Sequence, residues 1–157
     1  AKDFIILFVG NEPRRKGLNL LLDVFPELPE KVKLLIAGIS GKSQERIVYL
    51  GKVQNIEEFY AMADLVVLPT LYDPGALTTL EALASGTPII TSIYDGAREF
   101  IKEGINGWIT NLKRDDLLQK IFLAMETKIS PVVCSQSISY LTWDTYVDCL
   151  ISQLEGL

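Results

Sequence analysis

The chain has 157 residues, is 48% hydrophobic and carries a formal net charge of −5, which suits one domain with a sizeable core and argues against a nucleic-acid-binding face. It contains no histidine, so a Ser-His triad, an imidazole base and imidazole metal ligands are all excluded. No apolar run approaches the roughly 18 residues of a membrane-spanning helix, and no signal peptide is visible.

The chain opens almost at once on the β-branched run Phe4–Val9, an abrupt start expected of a fragment cut from a longer protein. Gly10 ends that strand, and Asn11-Glu-Pro-Arg-Arg-Lys16-Gly17 leads into a helix expected over Lys16–Phe25. Cations are disfavoured at the positive end of a helix dipole, so Arg14, Arg15 and Lys16 make sense there if a diphosphate shares the space. A solvated basic turn is the plainer alternative. The segment is neither a Walker loop nor a Rossmann dinucleotide fingerprint.

Further strands are expected at Val32–Ala37 before Gly38 and at Ile47–Leu50 before Gly51, with room between them only for a loop or a single helical turn. A helix over Ile56–Ala63 precedes the strand Leu65–Leu68, which Pro69-Thr70 breaks. Next come a helix over Ala76–Ser85, a strand over Pro88–Ser92, a helix over Ala97–Glu103 and a weaker strand over Gly107–Thr110. Helix Asp115–Glu126 follows, then a surface helix or connection over Pro131–Ser139. The last helix, Trp143–Leu154, carries an apolar stripe at 143, 147, 150, 151 and 154 that must pack on something, most simply core. Cys134 and Cys149 show no metal-ligand spacing and read as buried cytosolic thiols.

Continuous apolar strands alternating with helices imply an α/β domain with a doubly wound parallel sheet, right-handed crossovers and a ligand edge at the C-terminal strand ends. The segment Tyr72 to Ile90 is the most informative on that edge. It sets Asp73 in a Pro-Gly turn, opens a helix at Ala76, and places Glu81 among Leu77, Leu80, Ala82, Leu83 and Ala84. The first helical N–H groups lack intrahelical partners and form an anion site. A carboxylate among apolar neighbours needs a partner, and the Cα–Cβ bond of Glu81 tilts toward that helix end. Thr78 and Thr79 add hydroxyls, as ligand donors or merely as caps, and Asp73 is alternatively an ordinary turn residue. Two acids beside an anion site describe a ligand that is part phosphate and part polyol: a nucleotide sugar.

With these residues in place the chain resembles the C-terminal half of a retaining GT-B glycosyltransferase of family 4, the "group 1" transferases, and within it the lipopolysaccharide-core glucosyltransferase-like branch. The motif is an acid, seven residues and a Glu, kept here from Asp73 to Glu81, with the tail Glu81-Ala-Leu-Ala-Ser-Gly-Thr-Pro88. Gly10 to Gly17, Leu50-Gly51-Lys-Val53, Ala63-Asp64 and Gly96 to Gly107 are further landmarks. The resemblance covers essentially the whole chain, 1–157, as a single nucleotide-sugar-binding domain. It implies a Rossmann-like fold and transfer of a sugar from a nucleotide-diphosphate sugar, without metal or other cofactor. Arg15 and Lys16 would neutralise the donor diphosphate as the glycosidic bond breaks, and Asp73 would bond the sugar hydroxyls. Amides around Gly75, Ala76, Leu77 and Thr78 would hold the phosphates, and Glu81 would take the ribose hydroxyls. Gly51, Lys52 and Val53 would border the base, and Gly10 would let the sugar approach the backbone.

The implied partners are a nucleotide sugar, an absent N-terminal acceptor domain and a glycan or lipid-linked acceptor, not nucleic acid. The implied location is cytoplasmic, peripheral at the membrane through the absent half. Three positions depart from the motif: Asp73 stands where Glu is commoner, the Phe after the Pro is missing, and Asn11 replaces an Arg. The last shifts the cationic role to Arg15 and Lys16. Competing readings are a UDP-sugar 2-epimerase, which the lack of histidine disfavours, and a non-catalytic nucleotide-sugar-binding half, in which loss of the acid pair or the Arg-Lys pair is expected. A plain doubly wound signalling module leaves the cations and acids unexplained.

Overall fold

The computed structural model describes residues 2–155. Strands β1 (Phe4–Val9), β2 (Val32–Ala37), β3 (Ile47–Gly51), β4 (Leu65–Leu68), β5 (Ile89–Ser92) and β6 (Gly107–Thr110) form one sheet in the order β3-β2-β1-β4-β5-β6. Every pairing is parallel. Among the described residues six α-helices accompany it: α1 (Leu18–Val24), α2 (Ile56–Met62), α3 (Leu77–Ala84), α4 (Arg114–Glu126), α5 (Pro131–Ser137) and α6 (Trp143–Glu155). Helix α1 packs against α4, and α3 against α2 and α5, so the sheet lies between two helical groups.

That sandwiching explains the strand sequences. Ile6, Leu7 and Phe8 of β1, and all four residues of β4, are fully buried, as a strand covered on both faces requires. The strand order reverses between β1 and β4, and the chain turns there are where an open α/β sheet leaves a crevice. Among the described residues no helix is long and apolar enough to cross a membrane.

Four expectations change. Helix α1 begins at Leu18, not Lys16, because Gly17 adopts φ 80° and only the residues beyond it are helical. The helix expected over Ala97–Glu103 is instead a short 3-10 helix, Gly96–Phe100, ending where Ile101 turns extended and enters the core. The Trp143–Leu154 stripe is not core: Trp143 is 82% exposed, and Tyr146, Val147, Leu150, Ile151 and Leu154 are all exposed. Cys134 is buried on α5, and burial pushes its thiol up to about 11, whereas Cys149 on α6 is exposed.

Two glycines hold the loops of the C-terminal edge against one another. A Cβ at Gly17 would stand 1.8 Å from the Pro69 carbonyl oxygen, and one at Gly96 would stand 1.8 Å from that of Pro74. Both contacts are with backbone, which cannot swing aside as a side chain can. Gly96→Ala is therefore expected to lose on the order of 2 kcal/mol or more of stability in urea unfolding. Gly75→Ala, where a Cβ meets nothing within 4 Å, stays within about 0.5 kcal/mol of wild type.

Candidate functional site

The turns after β1, β2 and β3 meet the start of α3 at the C-terminal edge. Backbone bonds tie the turns together, Gly10 N–H to Ala37 O at 3.0 Å and Gly38 N–H to Gly51 O at 2.7 Å. The Arg14–Gly17 segment precedes α1 as a tight turn, with the Lys16 amide donating to Glu12 O and the Leu18 amide to Pro13 O. Its Arg15 carbonyl accepts from the Leu71 amide at 2.8 Å and from the Thr70 hydroxyl at 3.1 Å. The basic turn and the loop after β4 are thereby one unit.

A buried ion pair completes that unit. Lys16 Nζ lies 2.7 Å from Asp73 Oδ2, with the two residues only 9% and 7% exposed. Arg15 Nη1 reaches the same Oδ2 at 3.2 Å and the Tyr72 carbonyl at 2.9 Å. The other edge of its guanidinium forks onto Glu12, Nε to Oε2 at 3.0 Å and Nη2 to Oε1 at 2.8 Å. Asp73 Oδ1 accepts from the Gly75 amide at 3.3 Å. Burial by itself raises the Asp73 carboxyl, but the bond and charge of Lys16, the Gly75 amide and Arg15 outweigh it, and the net shift is downward. The Glu12 bond and the Asp73 bond both hold the Arg15 guanidinium more firmly protonated against its desolvation.

A second carboxylate, not singled out in the sequence, supports this loop. Asp95 is fully buried and accepts from the Ala76 amide (3.1 Å), the Ala97 amide (2.9 Å), the Thr79 hydroxyl (2.7 Å) and the Thr91 hydroxyl (2.6 Å). Backbone bonds from Asp73 N–H to Tyr94 O and from Gly96 N–H to Asp73 O run alongside. Asp95 thus fixes the entry of α3. Its sequence signal was an Asp directly ahead of a short helix, an N-cap signature.

Glu81 is not buried. Its side chain is exposed, and Oε2 accepts from the Tyr60 hydroxyl at 2.8 Å. The reason is geometric: on α3 the buried face is Thr78, Thr79, Ala82 and Leu83, and position 81 falls outside it. Glu81 opens instead onto a cleft of about 320 Å³ beside Lys16, Thr78, Asn11, Lys52 and Val53, floored by Gly10 and Gly38.

Six candidate residues therefore share one cleft: Gly10, Lys16, Lys52, Val53, Thr78 and Glu81. Gly51 adjoins it through Lys52, and Asp73 and Arg15 reach it through Lys16 rather than lining it. Gly75 lies exposed on the loop, and Ala76 is buried beneath it. Leu77 is 70% exposed and faces away, onto an apolar groove shared with Phe100, Trp143 and Tyr146. The amides of Leu77 and Thr78 donate to no group among the described residues. A cleft with a buried cation, free helix-start amides and a carboxylate at its rim is equipped for a ligand carrying both phosphate and hydroxyl groups.

Fold and site define a doubly wound α/β domain with a ligand cleft at its switch point. Residues 3–126 match the family model described as glycosyl transferases group 1, and the chain belongs to that family. It is 36% identical to a glycosyltransferase of Methanocaldococcus jannaschii, the match covering 67% of this chain and 31% of the relative. Among solved structures, a lipopolysaccharide outer core galactosyltransferase superposes with a TM-score of 0.85 at 19% identity, over 99% of this chain and 50% of the other. An Anabaena protein in complex with UDP and glucose superposes with a TM-score of 0.81 at 21% identity, over 100% and 49%. The chain thus spans about a third of that relative and half of each solved chain. The reading as the C-terminal domain of a GT-B glycosyltransferase fits these matches.

The ion pair carries a pH signature. A carboxyl lowered in the folded state stabilises above the ordinary value of 3.8, and that stabilisation fades as pH falls through the lower folded value. Asp73→Asn leaves Lys16 buried without its counter-charge, at a cost of about 3 kcal/mol near neutral pH. In urea unfolding the gap between wild type and Asp73→Asn is expected to be constant above about pH 5 and to close below about pH 4.

Proposed function

We propose that this domain binds the donor of a retaining, metal-independent glycosyltransferase, which moves a sugar from a nucleotide-diphosphate sugar to a glycan or lipid-linked acceptor. The observation that carries the reading is that Lys16 and Glu81 line one cleft, in a chain of the group 1 family. A structural relative that holds UDP and glucose supports the same ligand class.

In this reading Lys16 meets the diphosphate, together with the free Leu77 and Thr78 amides. As the glycosidic bond breaks, negative charge grows on the departing phosphate oxygen. A cation already desolvated and held by Asp73 stabilises that charge with little reorganisation. Arg15 acts one step back: its guanidinium braces Asp73 and the Tyr72 carbonyl, with Glu12 holding its outer edge. Asp73 Oδ1 has a single amide donor, which leaves it capacity to accept a sugar hydroxyl. Glu81 takes the ribose hydroxyls, and Lys52 and Val53 border the base. The acceptor side belongs to a second domain, consistent with relatives two to three times as long as this chain.

Calorimetry with UDP-, GDP- and ADP-sugars tests the cleft. Lys16→Ala is expected to weaken the bound nucleotide sugar by about tenfold or more while leaving the corresponding nucleoside unchanged. A wild-type protein that binds nucleoside and nucleotide sugar equally well contradicts a diphosphate site. The 157-residue chain is further expected to bind donor without transferring sugar; radiolabelled donor offered with a glycan mixture measures this, and labelled product refutes it.

A further inference from the structure

We infer that Tyr60 is the positioning residue of the donor site, its phenol pinning Glu81 so that the free carboxylate oxygen meets a ribose diol. The inference rests on the reading of the cleft as a nucleotide-sugar site. Tyr60 projects from α2, with its ring 1% exposed in the core and its hydroxyl emerging 2.8 Å from Glu81 Oε2. Such a ring has two torsions, both locked by packing. A glutamate side chain at the surface has three, so without a fixed donor its carboxylate samples several rotamers.

Among the described residues, the phenol is the one protein group bonded to that carboxylate. This distinguishes Glu81 from the other acids of the edge. Asp73 is paired with two cations through Oδ2 and takes one amide on Oδ1, and Asp95 takes four neutral donors. Glu81 keeps one oxygen unfilled beside open space, with no cation paired to it. An uncompensated acceptor at a cleft rim suits a pair of hydroxyl donors. Burial, and then the Glu81 charge and bond, hold the phenol well above its ordinary range, so it donates at every working pH. The bland alternative is that Glu81 only satisfies a buried phenol. That role alters stability without altering ligand choice.

The test is calorimetry of the 157-residue chain with UDP and GDP and with their 2′,3′-dideoxy forms. Wild type is expected to prefer the ribose forms. Tyr60→Phe, which keeps the ring, weakens the ribose forms by about three- to tenfold and leaves the dideoxy forms unchanged. Glu81→Asp, which keeps the charge but stops short of the phenol at an exposed position, shows the same loss and guards against misfolding of the first variant. Equal weakening of both forms, or none, in either variant overturns the inference alone. A wild type that binds neither nucleotide overturns the donor-site reading and the inference with it.

Discussion

The buried pair of Lys16 and Asp73 joins two loops that share no strand. One follows β1 and the other follows β4, neighbours on either side of the point where strand order reverses. A buried ion pair contributes little net stability over an apolar pair of the same shape, because desolvating two charges offsets most of their attraction. What it supplies is position. The Lys16 ammonium has one strong partner, set by Arg15, Gly75 and the backbone bonds from Leu71 and Thr70. A cation fixed in that way presents the same field to every ligand that enters the cleft, and its desolvation has already been met in folding.

Three acids serve the edge in three ways, and their environments explain the division. Asp73 answers cations, so it anchors charge. Asp95 answers four neutral donors drawn from β5, the 3-10 helix Gly96–Phe100 and the start of α3, so it anchors backbone. By taking the Ala76 amide for itself, Asp95 leaves the next two amides of α3 as the open ones. Glu81 answers a single phenol and retains an open oxygen. The clashes that a side chain would meet at Gly17 and Gly96 show how closely the supporting loops approach.

The sheet was legible in the sequence because its strands are short apolar runs, β1 to β4 each closed by Gly or Pro, and burial on both faces makes such runs continuous. All six strands fall within one residue of their expected bounds. Helix starts were less legible: the cations of 14–16 sit before α1, since the left-handed Gly17 marks its beginning and no periodicity reveals that. The site's pairings were the least legible. The spacing from Asp73 to Glu81 signals two acids near one helix, but not that Asp73 turns inward to Lys16 while Glu81 turns outward to Tyr60. Tyr60 lies 21 positions from Glu81, and Asp95 lies 19 from Ala76, separations that only the tertiary fold brings to contact.

The α6 stripe illustrates the same limit from the other side. Its apolar period reads as core, and in this domain it is open, with Leu77 and Phe100 forming the far wall of the groove it borders. Periodicity reports that a face is apolar; it does not report what covers that face. The exposed Glu81 reverses the error. A buried acid among leucines would have had a structural reason to find a partner. An acid at the rim of a cleft, held by a core phenol at 2.8 Å, has no such need, since water would solvate it equally well. Restricting a side chain that solvent would otherwise satisfy costs conformational entropy. In the proposed donor site that cost is recovered when a ligand finds the carboxylate already in place.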